Sequence, residues 1–403
     1  MKRCSFFYFM VVYTLVFSSY GRSAREENPL PPTPEAYKFE KVFKSKRLGI
    51  TQKLTIHTRR FKRAGAPPLI LSHALILNSI AMEGLGKELW KKGYDVWMPN
   101  MRGHGNGKEK SIIYPYLPGD YGFDKMISYD LPLIIDKVFS ITKKEIHLMG
   151  LSMGALLWDK YLDGIGIDDE GNFTKKRTRA IKRGKKILSY TALGIPLDIW
   201  EINPKVRKLL APFTPTIRPF HFFIPLTTDQ DPSFKKPKTL KEIFRRELIK
   251  AIKPIFVEVL PLGIITREGI DTKNGEREDL VTTYISQAHT DIVYDFLRWL
   301  YKPYRSRNGN VSYKGLRNSK TPSLFIFGEK DQLAPYRLGK EQIPQIYDSD
   351  THPVIYKFCK KAHVDLILRK AVKPLGELLK KFLQEPRNFL ESRQFINEMG
   401  QCD

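Results

Sequence analysis

The chain has few cysteines, three in 403 residues. Cys4 lies in an N-terminal apolar segment, which leaves Cys359 and Cys402 for the folded part of the chain. A disulfide framework is therefore excluded, although one bond between Cys359 and Cys402 can form in an oxidising compartment. Two cysteines without a nearby pair of histidines also argue against a structural zinc site. We expect no metal and no organic cofactor.

Repeats and long low-complexity segments are also lacking, so the chain is neither a solenoid nor disordered. Hydrophobic residues make up 42% of it, which is enough for a large core. Acidic residues are outnumbered, since 68 Lys and Arg against 43 Asp and Glu give a formal net charge of +25. No nucleic-acid-binding motif accompanies this charge, so we do not expect nucleic acid to be a partner.

Basic residues are densest from Lys175 to Lys186, where eight Lys and Arg occur without an acidic residue. Such a run can bind an anionic membrane, nucleic acid or an anionic polymer, although a solvated basic loop is the favoured interpretation. It follows the helix predicted after Ser152 and precedes the next strand. In a parallel sheet that connection lies at the edge opposite the ligand-binding edge. This position favours peripheral contact with an anionic membrane over direct binding of substrate.

The first 21 residues have the pattern of a signal peptide. Two basic residues, Lys2 and Arg3, precede an apolar stretch from Phe6 to Phe17, and small residues follow up to Gly21. The apolar stretch is shorter than the ~20 residues of a membrane-spanning helix. We therefore predict export to the periplasm or out of the cell, with an uncleaved membrane anchor as the alternative. Prolines indicate a stiff linker over residues 22–36.

Apolar, strand-like runs alternate with amphipathic segments along most of the chain. This pattern is typical of an α/β fold with a mostly parallel central sheet and helices on both faces. The core is predicted in two parts, residues 37–197 and 284–385. Between them, residues 198–283 lose the periodicity and are rich in proline and phenylalanine, which favours an inserted lid. A C-terminal tail is expected at residues 386–403.

The motif Gly150-x-Ser152-x-Gly154 lies between an apolar strand and a helix. A serine on such a sharp strand-to-helix turn is held in a strained backbone conformation, and the flanking glycines allow neighbouring backbone to approach. The helix N-terminus next to it favours developing negative charge. The context therefore predicts that Ser152 is a nucleophile.

A carboxylate and a histidine that could activate Ser152 follow late strands. Asp331 comes after a predicted strand, with Glu329 and Asp198 as less favoured alternatives. His363 follows the last strand, in the chain order Ser, Asp, His that serine hydrolases with this elbow use. His352 is a weaker rival because it precedes that strand. We interpret three further histidines in or beside strands as structural, namely His73, His104 and His147.

The loop after the first buried strand, His73-Ala74-Leu75, should supply one donor of an oxyanion hole. The backbone N–H of Leu75 is our prediction, and that of Ala74 is the alternative. The N–H of Met153, directly after the nucleophile, should be the second donor. Two such donors stabilise the tetrahedral intermediate of acyl transfer.

Several stretches of the chain together resemble the α/β-hydrolase superfamily, in particular its acid-lipase-like branch and the bacterial esterases and lipases related to it. The resemblance covers residues 67–198 and 284–385 and leaves out the lid. One departure is His73-Ala74, where the family has His-Gly. The matching stretches are Leu69-Ile-Leu-Ser-His-Ala, Tyr94-Asp-Val-Trp-Met-Pro-Asn-Met-Arg-Gly-His-Gly, Tyr129-Asp-Leu-Pro, Gly150-Leu-Ser-Met-Gly, Gly328-Glu-Lys-Asp-Gln-Leu and Ala362-His-Val-Asp.

The resemblance implies hydrolysis of a carboxylic or lipid ester. Ser152 would attack the carbonyl, His363 would take its proton, and the acyl-enzyme would be hydrolysed. The apolar composition of the lid suits an acyl site or a lipid-docking surface, and it suits packing on the core equally well. Two further functions stay open: an acyltransferase or polyester-processing enzyme with the same serine chemistry, and a non-catalytic binding protein of this fold.

Overall fold

The computed structural model describes residues 30–44, 49–168, 170–197, 223–224, 286, 288–299, 306–307, 309, 311–313, 318–347 and 353–400. The chain divides into two units, Met1–Pro31 and Pro32–Asp403, and the second unit contains all the elements of the described part. The predicted signal peptide and nearly all of the predicted lid lie outside the described residues.

The strands of the described part fall mainly in the two predicted parts of the core. They are β1 (Glu35–Lys44), β2 (Thr51–Phe61), β3 (Pro68–Ser72), β4 (Asp95–Pro99), β5 (Ile112–Tyr114), β6 (Ile146–Leu151), β7 (Ile165–Ile167), β8 (Phe173–Lys175), β9 (Ile187–Leu193), β10 (Phe223–Ile224), β11 (Ala288–His289), β12 (Ser323–Gly328), β13 (Val354–Phe358) and β14 (Ile396–Met399).

Helices connect most of these strands. They are α1 (Glu83–Lys91), α2 (Leu131–Thr142), α3 (Met153–Leu162), α4 (Arg177–Gly184), α5 (Thr290–Arg298), α6 (Tyr336–Ile346), α7 (Arg369–Gln384) and α8 (Pro386–Glu391). A helical turn (Phe123–Lys125) and a π-helical turn (Met126–Asp130) lead directly into α2. The helix α1 packs against α7, and α3 packs against α2 and α4.

The main sheet has ten strands, in the order β1-β2-β4-β3-β6-β9-β12-β13-β14, and β5 pairs with β2. From β4 to β14 neighbouring strands are parallel, whereas β2 is antiparallel to its partners β1, β4 and β5. Every residue of β3, β6 and β12 is buried. Strands covered by helices on both faces are continuously apolar, and this is the pattern that the sequence has there.

Residues 386–400 differ from the predicted C-terminal tail. They form α8 and β14, and β14 pairs in parallel with β13 at the edge of the sheet. The strand has four residues, too few for its alternation to be distinguished from a loop in the sequence. At the other end, β1 begins at Glu35, inside the predicted linker.

A buried polar network holds β11, α5 and Arg307 on the first part of the core. The ring of His289 stacks on Tyr121 with centroids 4.1 Å apart. Asp295 accepts a hydrogen bond from the Phe123 N–H at 3.1 Å and from Arg307 Nε at 2.9 Å.

Among the described helices, none has both the length and the apolar character needed to cross a bilayer. Cys359 is disulfide-bonded, and its partner lies outside the described residues.

Candidate active site

Ser152 lies between β6 and α3 in a conformation that few residues adopt. Its φ is 52° and its ψ is −110°, a strained combination for a residue with a side chain. Both flanking glycines are required: a Cβ on Gly150 would lie 2.3 Å from the carbonyl carbon of Gly154, and one on Gly154 would lie 2.7 Å from the Ser72 oxygen. The half-buried Ser152 therefore has the geometry of a nucleophile elbow.

Asp331 and His363 form a buried pair at the carboxyl ends of β12 and β13. Asp331 Oδ2 accepts a hydrogen bond from His363 Nδ1 at 2.7 Å. Asp331 Oδ1 accepts two more, from the N–H groups of Leu333 at 2.9 Å and Ala334 at 2.8 Å. The carboxylate thus has three donors, and the contact with Asp331 Oδ2 assigns a proton to His363 Nδ1.

The other ring nitrogen of His363 then carries a lone pair. His363 Nε2 is buried and has no hydrogen-bond partner in the described part of the chain. A buried acceptor without a partner is unfavourable for folding, and such groups are common where a proton is transferred. In the described part of the chain, Nε2 of the pair is thus an acceptor without a donor.

Gly194, directly after β9, joins Ser152 to this pair, and it is absent from the site residues predicted from the sequence. The Ser152 N–H donates to the Leu193 oxygen at 2.8 Å. A Cβ on Gly194 would lie 3.0 Å from His363 Nδ1 and 3.2 Å from Asp331 Oδ2. Its φ of 53° also favours glycine. Gly194 thus lies against the Asp331–His363 pair and directly follows the residue to which Ser152 is bonded. A glycine after a buried strand was the available sequence signal.

The rival acidic residue in the same loop points elsewhere. Glu329 Oε2 accepts a hydrogen bond from the Lys360 N–H at 2.8 Å, and its other oxygen lies 3.3 Å from Lys330 Nζ. The carboxylate that contacts His363 is therefore that of Asp331. Asp198, the second rival of Asp331, and His352, the rival of His363, both lie outside the described residues.

The peptide between Ala74 and Leu75 is held in one orientation. Its carbonyl oxygen accepts a hydrogen bond from the Leu77 N–H at 3.1 Å and lies 2.8 Å from His73 Nδ1. In a trans peptide the N–H points away from the carbonyl, so these contacts also fix the direction of the Leu75 N–H. Ala74 itself does not adopt a positive φ, so alanine fits where the family has glycine.

Two buried histidines that the sequence indicates are structural fix this loop. His73 Nε2 accepts a hydrogen bond from the Met101 N–H at 3.1 Å, which places the proton on Nδ1, facing the Ala74 oxygen. His104 Nε2 contacts the Leu75 oxygen, and the two imidazole centroids are 4.7 Å apart. Burial lowers the pKa of His73 well below its usual range and that of His104 to about 4, so both are neutral at pH 7.

A buried ion pair anchors the segment that carries Met101 and His104. Arg102 Nε donates to Asp130 Oδ1 at 2.7 Å, and the Arg102 N–H donates to Asp130 Oδ2 at 3.0 Å. Arg102 Nη1 donates to the Asp120 carbonyl oxygen at 2.7 Å. Asp130 ends the π-helical turn before α2. Both charges are buried and paired, which avoids the large penalty of an uncompensated charge.

The second oxyanion donor predicted from the sequence, the Met153 N–H, lies at the first residue of α3. The first N–H groups of a helix have no partner within the helix, and the helix dipole is positive there. Within the described residues, no cluster of three His, Cys, Asp or Glu side chains could hold a metal ion.

The architecture has relatives among solved structures. The structure of a thermophilic esterase from Thermogutta terrifontis has a TM-score of 0.53 and 14% sequence identity, and the match covers 89% of this chain and 100% of that one. At this identity the likeness concerns the fold alone. The sheet order, the elbow and this likeness show that the chain has the α/β-hydrolase fold, which confirms the fold predicted from the sequence.

Sequence relatives are lipases. Triacylglycerol lipase 2 of Arabidopsis thaliana is 29% identical over 98 residues, 22% of this chain and 23% of that protein. Lipase lipl-3 of Caenorhabditis elegans is 38% identical over 110 residues, 27% of this chain and 24% of that protein. The chain thus spans about a quarter of the length of the curated relatives that it matches. No family model matches the chain.

Proposed function

We propose that the protein hydrolyses carboxylic or lipid esters through Ser152, His363 and Asp331. One observation carries the proposal: within the described residues the buried Asp331–His363 pair leaves Nε2 without a partner, and Leu193-Gly194 links this pair to Ser152 on its strained elbow. Acyl transfer needs an imidazole held in the tautomer whose free nitrogen can accept a proton, and a hydroxyl that gives up its proton as it attacks. The lipase relatives support the same chemistry.

In this mechanism Ser152 Oγ attacks the ester carbonyl while His363 Nε2 accepts the hydroxyl proton. Asp331 keeps the imidazole in the required tautomer and stabilises the imidazolium. The N–H groups of Met153 and Leu75 donate to the oxyanion of the tetrahedral intermediate. His363 then gives its proton to the leaving alcohol. Water attacks the acyl-enzyme with the same base, which releases the carboxylic acid and frees Ser152.

We propose a substrate with an apolar acyl group. Residues 198–283, the predicted lid, are rich in proline and large apolar residues. A segment of this composition can line an acyl site, and substrate choice in this fold is set by such insertions. The names of the curated relatives, a triacylglycerol lipase and a lipase, agree with a lipid ester.

We also propose that the mature protein acts outside the cytoplasm, after cleavage of a signal peptide over residues 1–21. The support is the basic start, the short apolar stretch and the small residues that follow. N-terminal sequencing of the protein recovered from the periplasm or the medium tests this proposal. A mature protein that retains Met1 in the membrane fraction would favour the anchor.

The proposed activity is tested by labelling with a fluorophosphonate probe, which reacts with activated serines. Wild-type protein should be labelled, Ser152→Ala should not, and Ser140→Ala, which changes an exposed serine of α2, should be labelled normally. A series of p-nitrophenyl esters from acetate to palmitate then measures the acyl preference. Labelling that persists in Ser152→Ala, or no labelling and no turnover in the wild type, would contradict the proposal.

A further inference from the structure

The eight cations of the basic run differ in their surroundings. Arg179 Nη1 donates to the carbonyl oxygens of Gly164 at 3.0 Å and Gly166 at 2.8 Å. Arg183 Nη1 donates to those of Tyr161 at 2.6 Å and Ile165 at 2.7 Å. These two arginines, one helical turn apart, therefore stabilise the backbone that follows α3.

Ion pairs engage three lysines of the run. Lys175 Nζ lies 2.5 Å from Asp163, Lys176 Nζ lies 3.4 Å from Asp168, and Lys186 Nζ lies 2.7 Å from Asp136. Three exposed cations of the run remain, on α4 and directly after it. One is Lys182, and the other two are Arg177 and Lys185, which form no ion pair within the described part of the chain.

These two cations line one wall of a cleft of about 840 Å³. Ile181 lies between them at helical spacing and is 52% exposed. Arg387, also exposed and without an ion pair in the described residues, lines the cleft as well. The exposed side chain of Leu188 lines the cleft too. The lining thus combines cations and exposed aliphatic groups with two glutamates, Glu145 and Glu385.

The cleft lies at the amino ends of the parallel strands. It is lined by Glu145, Ile187 and Pro322, which precede or begin β6, β9 and β12. Ser152, Asp331 and His363 all follow the carboxyl ends of strands. A ligand in this cleft therefore cannot be the substrate of the proposed site.

We infer that this cleft docks the protein on the surface of an anionic phospholipid bilayer. Lipid phosphates complement Arg177, Lys185 and Arg387, whereas the exposed aliphatic groups of Ile181 and Leu188 reach the upper acyl region. The net charge of +25 attracts the whole molecule to such a surface. Bound in this way, the molecule has the carboxyl edge of its sheet facing away from that bilayer, so its ester substrate arrives from the aqueous side.

The test is co-sedimentation of the full protein with phosphatidylcholine vesicles that do or do not contain phosphatidylglycerol. The cleft variant carries Arg177→Gln, Lys185→Gln and Arg387→Gln. The control variant carries Lys41→Gln, Lys108→Gln and Lys340→Gln, which remove the same charge from exposed lysines elsewhere. All three proteins share the same N-terminus, so any contribution of residues 1–21 is common to them.

We expect wild-type and control proteins to bind the anionic vesicles and to be released by high salt. The cleft variant should lose on the order of 100-fold in partition coefficient, since each cation near an anionic surface contributes about fivefold. Ile181→Ser should weaken binding further without a change of charge. Thermal melts by circular dichroism check that the variants are folded.

Three results would overturn the inference. The cleft variant binds as tightly as the wild type, or both triple variants lose binding equally, so that net charge alone is responsible. In the third, the cleft binds heparin or a DNA duplex with the same dependence on Arg177 and Lys185 while no protein binds the vesicles.

Discussion

The two edges of the parallel sheet hold polar groups of opposite kinds, and one helix accounts for much of the difference. At its N-terminus, directly after Ser152, α3 presents unpaired N–H groups and a positive dipole end. At its other end the carbonyl of Tyr161 and those after it accept hydrogen bonds from Arg183 and Arg179. The carboxyl edge is therefore suited to an oxyanion, whereas the amino edge collects cations. The position of a polar residue relative to the strand ends thus indicates its role better than its type does.

The largest expected change in kcat distinguishes two acidic residues of one loop, Asp331 and Glu329. Asp331→Asn should lower kcat for a p-nitrophenyl ester by roughly 10⁴-fold, because an amide does not hold His363 in the required tautomer. Glu329→Gln should stay within about twofold, since Glu329 contacts Lys360 and Lys330 instead. If Asp331→Asn had the kcat of the wild type, another carboxylate would have to hold His363 in its tautomer.

The next largest expected change in kcat distinguishes two glycines with a positive φ, Gly194 and Gly65. Gly194→Ala places a Cβ against His363 and Asp331, and a displacement of catalytic groups by a fraction of an ångström to 1 Å should lower kcat by about 100-fold. Gly65 has a φ of 73° and open space around it. Gly65→Ala should therefore destabilise the fold by about 1 kcal/mol with kcat unchanged. Equal kcat in the two variants, measured beside urea unfolding, would argue against the role of Gly194.

A third expectation concerns acid stability at the amino edge. Burial lowers the pKa of His147 to about 4, against about 6.5 in the unfolded chain. Between these values the unfolded state binds more protons, so this histidine's contribution is present at pH 7 and is lost as the pH falls. The loss should reach about 2 kcal/mol near pH 5.

Urea unfolding of the wild type and His147→Gln at both pH values isolates this contribution. The variant should lose about 2 kcal/mol less stability than the wild type between the two conditions. Buried carboxylates such as Asp163, whose pKa burial raises, act in the opposite direction in both proteins, so the difference between the proteins is the informative quantity. An identical pH dependence would show that His147 does not titrate as described.

The smallest expected effect is on kcat and concerns His73, in the loop that follows β3 at the carboxyl edge of the sheet. His73→Gln can retain the acceptor for the Met101 N–H but loses the donor to the Ala74 oxygen, so the Leu75 N–H is less well oriented. We expect kcat to fall about tenfold, a fraction of the loss from removing an oxyanion donor. His73→Asn, whose amide can take the place of Nδ1, should retain more activity. Equal kcat in the two variants would reduce His73 to a packing role.

Much of this architecture could be predicted because it follows from patterns of residues that are close in the sequence. The parallel sheet follows from apolar runs alternating with helices, and the position of Ser152 follows from a motif between a strand and a helix. The contact between Asp331 and His363 could be expected from their order after late strands. The roles of these residues in catalysis stay predictions until the variants are measured.

Other features depend on contacts between distant segments. His73 and His104 meet because β4 and β3 are neighbours in the sheet, although the two residues lie on different loops. Gly194 contacts His363 because β9, β12 and β13 are consecutive strands of the sheet. Helical spacing in the basic run could have suggested that Arg179 and Arg183 share a face with Ala180, but it could not show that carbonyl groups lie there.

The π-helical turn over Met126–Asp130 sets the rotational phase of the helix that follows it. Such a turn accommodates one more residue than a regular α-helix, and one residue corresponds to a rotation of about 100°. Deleting a single residue from this turn would restore a regular helix and carry Asp130 to another side, away from Arg102. The loop His73-Ala74-Leu75 therefore depends, through Arg102 and Met101, on the residue count of this helix. Deleting one residue from the turn should be more harmful than substituting an exposed or half-buried residue of it.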